Sequence, residues 1–138
     1  MTQAPNPPLK IGVAGLGRAF TLMLPTFLQD PRIQLVAATD PIAAARSQFE
    51  KDFQAITVDS VEALCALPDV EVIYIATPHQ YHAAHVELAA QHGKHCWVEK
   101  PMAISTEECT RMMDACQQAG VQLMVGHSHS FNAPVLRA

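Results

Sequence analysis

The sequence has little that would mark a special class of protein. Charged residues make up 16% of the chain and aromatics 6%, with a single tryptophan, Trp97. The formal net charge of -4 gives no general hold on nucleic acid or an anionic membrane, and neither is an expected partner. No apolar run reaches the roughly 18 residues that span a bilayer. The opening MTQAPNPPLK lacks the apolar core and cleavage pattern of a secretory signal. Its prolines lead us to expect an extended, poorly ordered arm over residues 1–8. Cysteine pairing is absent as well. None of Cys65, Cys96, Cys109 and Cys116 forms a C-x-x-C pair, and three of them fall in helical patterns, where buried thiols act as small apolar residues. A reduced, cytoplasmic protein is expected.

What is present is an apolar chain, 49% hydrophobic over 138 residues, enough for one ordinary domain with a real core. Near-continuous apolar runs occur at Leu9 to Ala14, Ile33 to Asp40, Ala55 to Val58, Val70 to Thr77, Lys94 to Glu99 and Val121 to Gly126. Strands that do not alternate are covered on both faces, as in a parallel sheet. Helical patterns fill the gaps: Arg18 to Gln29, Ile42 to Asp52, Ser60 to Ala66, Gln80 to His92 and Thr106 to Ala119. Pro25 predicts a kink or an early stop in the first. Ser60 and Ser105 are N-cap residues, Glu108 completes a capping box, and Gly93 and Gly120 are helix stops. Strand and helix alternate about six times, which short right-handed crossovers turn into a doubly wound sheet.

The first strand runs into Gly15-Leu16-Gly17-Arg18-Ala19-Phe20. Gly15 and Gly17 fit the first two glycines of G-x-G-x-x-G, one for the tight turn and one for close approach of a pyrophosphate to a helix N-terminus. Phe20 stands at the third glycine position and must turn away or widen the helix–strand crossing. Asp40 closes the second strand about 20 residues on, where an acid accepts the ribose hydroxyls of NAD and repels the extra phosphate of NADP. It also suits an N-cap before Pro41, and both roles can hold. Arg46 could lean toward a 2′-phosphate but lies deeper in the helix, so NAD is favoured over NADP.

With these residues in place, the chain resembles the N-terminal half of the Gfo/Idh/MocA oxidoreductases. The resemblance rests on GVAGLGR, Asp40, VEVIYIATPHQYH (Val70 to His82), GKHCWVEKPMA (Gly93 to Ala103) and VQLMVGHSHSFNAPV (Val121 to Val135). It implies a Rossmann fold over residues 9–138, strand order 3-2-1-4-5-6. It places Thr77, Pro78, His79 and His82 along the cofactor, and Glu99, Lys100 and Pro101 near nicotinamide. Lys100 would contact the reacting oxygen as the catalytic residue, and the bond before Pro101 would be cis. His79 departs from the asparagine often found there, and Ser130 from the arginine. The branch most resembled is that of the 4,5-dihydro-4,5-dihydroxyphthalate dehydrogenases. The family's remaining catalytic aspartate and histidine lie beyond the sixth strand. The chain is therefore expected to be a cofactor-binding half, weak in NAD binding and inactive alone. A substrate domain and homo-oligomer contacts would belong to the parent protein.

The implied reaction is hydride transfer between NAD and a secondary alcohol, dihydrodiol or sugar-like small molecule, with Lys100 stabilising charge or moving a proton. Against this, Glu99 and Lys100 could form a solvated, ion-paired turn of little energetic weight. A non-catalytic NAD(P)-sensing regulator is the alternative from another class, and a Rossmann protein for another nucleotide a third. His79, His82 and His85 share a helical spacing, but no cysteine or carboxylate completes a ligand set, so no metal is expected. His127 follows the last strand and is a candidate for the nicotinamide side. His85, His92 and His95 read as surface or packing residues. Met112, Met113, Met124 and Trp97 read as core or interface.

Overall fold

The structure, a computed structural model, describes residues 7–126. His127, His129 and Ser130 lie outside the described residues. The elements are β1 (Leu9–Ala14), α1 (Arg18–Gln29), β2 (Ile33–Thr39), α2 (Ala43–Phe53), β3 (Ile56–Thr57), α3 (Val61–Cys65), β4 (Val72–Ile75), α4 (His82–Gln91), β5 (His95–Glu99), α5 (Thr106–Ala119) and β6 (Leu123–Gly126). A short 3-10 turn, His79–Tyr81, leads into α4. The strands form one parallel sheet in the order β3-β2-β1-β4-β5-β6, the expected doubly wound Rossmann arrangement.

Two apolar cores flank the sheet. One gathers Ile73, Ile75 and Val98 with Leu64, Val86, Ala89 and Met112 from α3, α4 and α5. The other gathers Ile11, Val13, Leu35 and Tyr74 with Phe20, Phe27 and Phe49 from α1 and α2. This double cover is why the central strands are apolar at nearly every position. Burial of each large side chain stabilises the fold by about 1.5–3 kcal/mol.

Phe20 turns away from the glycine turn, as its size requires. Its ring lies 5.8 Å from Phe27, 6.1 Å from Phe49 and 6.2 Å from Phe53, inside the second core. Its side chain therefore cannot face a cofactor from this position, and only its backbone belongs to the turn. Pro25 does not end α1, which continues to Gln29. Both Pro25 and Thr21 lie on the exposed side of the helix. There water can serve the Thr21 carbonyl that loses its helical donor.

The helix ends follow the side-chain chemistry. Ser60 accepts a hydrogen bond from the Ala63 amide, and Ser105 accepts one from the Glu108 amide. Glu108 reaches back to the amide of Ile104 at 3.2 Å, one residue further than the standard box. Gly120 ends α5 at φ 70°, a left-handed position that favours glycine. At the amino edge of the sheet, buried Lys94 donates to the carbonyls of Leu67 and Val70 and closes the turn before β4.

Candidate functional site

Strand register carries the sequence motifs to one edge. Ala14 is level with Thr39 on one side and Ile75 on the other, Ile75 with Val98, and Glu99 with Gly126. The residues that follow these strands, from the glycine turn, Asp40, the Ala76–Pro78 loop and the Lys100–Pro101 loop, therefore share the carboxyl edge. The chain reverses its direction of winding between β1 and β4, and doubly wound sheets bind ligands at that crevice.

Gly15 sits at φ 98°, and its amide donates to Thr39 O at 3.0 Å. A Cβ here would lie 2.7 Å from Ala76 O, so only glycine lets the turn pass so close to the exit of β4. Gly17 is different. Among the described residues nothing lies within 4 Å of the place its Cβ would take, which leaves its backbone open at the start of α1. Arg18 is also exposed there, and Ala19 is half-buried.

Asp40 is fixed by both oxygens. Leu16 N donates to Oδ2 at 2.8 Å, and Ile42 N donates to Oδ1 at 2.8 Å. A carboxylate accepts about four hydrogen bonds, so room remains for two hydroxyls. The N-cap role expected of Asp40 is not the one it takes: Ile42 occupies the N-cap of α2, and the bond from Ile42 N closes a local turn ahead of the helix. Arg46 corrects the sequence reading. Its guanidinium is not held away along the helix but folds back, Nη1 donating to Asp40 O at 2.6 Å.

Beside Asp40 opens a cleft of 330 Å³ lined in part by Gly15, Asp40, Asp59, Thr77, Tyr81 and His85. Two acids face it, and no lysine or arginine is among the described residues that line it. Thr77 Oγ1 and His85 Nδ1 lie 2.8 Å apart, and the Tyr81 ring stacks on His85 at 6.0 Å. Burial, and then the neighbouring His82, push the His85 pKa below its ordinary 6.5, so this histidine brings no positive charge to the cleft near neutral pH.

His82 is placed differently from expectation. It is 2% exposed, does not line the cleft, and spends both ring nitrogens on carbonyls: Nε2 is 2.7 Å from Thr77 O and Nδ1 2.9 Å from Pro101 O. His79 is exposed, as are Pro78 and Pro101. Among the described residues no group of three or more His, Cys, Asp or Glu side chains is arranged to hold a metal.

Glu99 and Lys100 do not form the ion-paired turn considered from sequence. Glu99 instead accepts a hydrogen bond from Tyr74 Oη at 2.6 Å, while Lys100 is exposed. No ion pair joins the two among the described residues. The Lys100–Pro101 peptide is cis, as expected. Asp59, Ser60, Tyr81, His85 and Tyr74 were missed as site residues. Asp59 and Ser60 follow the two-residue strand β3, and a strand end is itself a signal, but so short a strand barely registers in the sequence.

This geometry is that of a dinucleotide fold, and comparison with known proteins agrees. Residues 9–127 match the family described as an oxidoreductase family with an NAD-binding Rossmann fold, the Gfo/Idh/MocA family. The chain belongs to that family. It is 57% identical over 131 residues to a 1-carboxy-3-chloro-3,4-dihydroxycyclohexa-1,5-diene dehydrogenase of Comamonas testosteroni, covering 94% of this chain and 33% of the relative. That relative's dihydroxycyclohexadiene substrate agrees with the expected dihydrodiol branch. Among solved structures, the WlbA dehydrogenase of Bordetella pertussis, in complex with NADH and UDP-GlcNAcA, superposes with a TM-score of 0.89 at 29% identity. That match covers 97% of this chain and 39% of the other. A biliverdin reductase of Synechocystis sp. PCC 6803, in complex with biliverdin and NADP+, gives a TM-score of 0.81 at 30% identity, covering 89% and 39%. The described domain is thus an NAD(P)-binding Rossmann domain. The chain spans about a third of the length of the curated relatives it matches.

Proposed function

We propose that this chain binds NAD across the carboxyl edge of the sheet and forms the cofactor half of a dehydrogenase. The observation that carries the reading is the Asp40 carboxylate, locked by the Leu16 amide to the glycine turn and left with acceptor capacity at the mouth of an acidic cleft. Leu16 to Phe20 would present backbone amides to the pyrophosphate, with Gly17 leaving space for it. Asp40 would accept the ribose hydroxyls, and Thr77 would border the same cleft.

Lys100 is the proposed catalytic residue. Exposed at the end of β5, it would hold or move a proton at the reacting oxygen, or stabilise negative charge developing on it. Glu99, held by Tyr74, would fix the backbone from which Lys100 projects. When bound, the nicotinamide supplies the hydride acceptor and donor chemistry. The substrate is proposed to be a secondary alcohol, cyclic dihydrodiol or sugar-like molecule. The name of the Comamonas relative favours the dihydrodiol.

NADP is the second reading, and Arg46 favours it, because its guanidinium sits at the Asp40 backbone within reach of the same turn. The cleft's two acids favour NAD. An NMR titration of the chain with NAD tests the proposal: amides of Gly15 to Ala19, Asp40, Thr77 and Lys100 should shift together. Shifts confined elsewhere would defeat it.

A further inference from the structure

We propose that His82 is the positioning residue that sets the two cofactor-facing loops at one fixed separation. It lies on the first turn of α4, under the carboxyl edge, and is 2% exposed. On one side of the ring is the carbonyl of Thr77, from the loop after β4, at 2.7 Å. On the other is the carbonyl of Pro101, from the loop after β5, at 2.9 Å. The two loops leave neighbouring strands. In the carbonyls of Thr77 and Pro101, a single side chain touches both loops.

Both partners are carbonyl oxygens, which only accept, so the hydrogens of the tie must come from the ring. A neutral imidazole donates to one of them and a protonated one to both, so the tie needs at least one ring N–H and is strongest with two. The residues it holds are consequential ones. Thr77 lines the Asp40 cleft and contacts His85, while Pro101 follows Lys100 directly. His82 itself is buried and does not line the cleft. It acts through the backbone on either side, fixing how far the Lys100 loop stands from the Thr77 loop. What those loops do rests on the cofactor reading given above, whereas the tie itself does not.

The test uses the 138-residue chain with two substitutions. His82→Phe keeps a flat, somewhat larger ring and removes both nitrogens. His82→Gln returns amide donors without an imidazole. Backbone amide spectra without ligand should show His82→Phe displacing both loops, Thr77 to Gln80 and Lys100 to Ala103, while β1, β2 and α5 stay in place. His82→Gln should recover part of the displacement. NAD affinity should fall about tenfold in His82→Phe and less in His82→Gln. Displacement of one loop only, or of neither, overturns the proposal, as does an effect spread evenly over the fold with no recovery in His82→Gln. If His82→Phe does not fold, ring-nitrogen spectra of the unsubstituted chain decide. A ring N–H protected from exchange supports the tie, and freely exchanging ring nitrogens contradict it. If the unsubstituted chain does not bind NAD, the cofactor reading fails, while the unliganded loop spectra still judge His82.

Discussion

Tyr74 donates its hydroxyl hydrogen to Glu99 at 2.6 Å, from the middle of β4 to the end of β5. The phenol is fully buried and ringed by Phe27 at 5.2 Å and Trp97 at 5.0 Å. Burial, and then the bond to Glu99, raises its pKa far above the ordinary value, so it stays a donor at every physiological pH. The bond anchors the residue before Lys100 to the core. Tyr74→Phe should cost about 1.5–3 kcal/mol in urea denaturation, the worth of one hydrogen bond to a charged group. A variant as stable as the parent would show that Glu99 finds an equal partner elsewhere.

The two glycines of the turn should separate fold from function. Gly15→Ala places a methyl 2.7 Å from a backbone oxygen at φ 98°, and should destabilise by more than about 2 kcal/mol. Gly17→Ala meets nothing within 4 Å among the described residues and should leave stability within about 0.5 kcal/mol. Its methyl would fill the space proposed for pyrophosphate, so NAD affinity should fall at least about tenfold. Equal effects of the two on thermal stability would contradict this assignment.

His85 gives a pH dependence of known sign. Its folded-state pKa is lowered from 6.5 by burial and by His82, so the unfolded chain binds this proton more readily than the folded one. Stability is therefore intact above that value and lost as pH falls through 6.5 toward the folded pKa. His85→Gln removes the titration. The melting temperature of the unsubstituted chain should drop relative to His85→Gln on acidification, and parallel curves would contradict the shift.

Much of this was legible in the residues, because apolar strands, capping serines and stop glycines act over a few positions. The runs at Leu9 and Ile33, the caps Ser60 and Ser105, and Gly120 all do what their local chemistry dictates. The site was legible where a motif is local, as in Gly15-Leu16-Gly17 and Asp40. It was not legible where partners meet only through the sheet. The expected strand order set β4 beside β5, but nothing in the spacing of Tyr74 and Glu99 reveals that these two side chains meet on one face. Position along α2 likewise misplaced Arg46, since a long side chain can fold back over a turn and reach the Asp40 carbonyl. His82 was read from resemblance as a cofactor neighbour, whereas its two carbonyl partners lie on separate loops.

Lys100 is the proposed catalytic residue, and its loss should show in turnover. In a protein of this family that contains this domain and turns over substrate, Lys100→Ala should lower kcat by about a hundredfold or more while NAD affinity changes little. Turnover within about twofold of the parent would support a regulator that reads the cofactor without using it.

Calorimetric titration of the chain with NAD and with NADP, alongside Asp40→Asn, measures whether the Asp40 carboxylate holds the cofactor. NAD should bind, NADP should bind more weakly, and NAD affinity should fall about tenfold or more when Asp40 gives up its charge. Preference for NADP, or NAD affinity indifferent to Asp40→Asn, would contradict it.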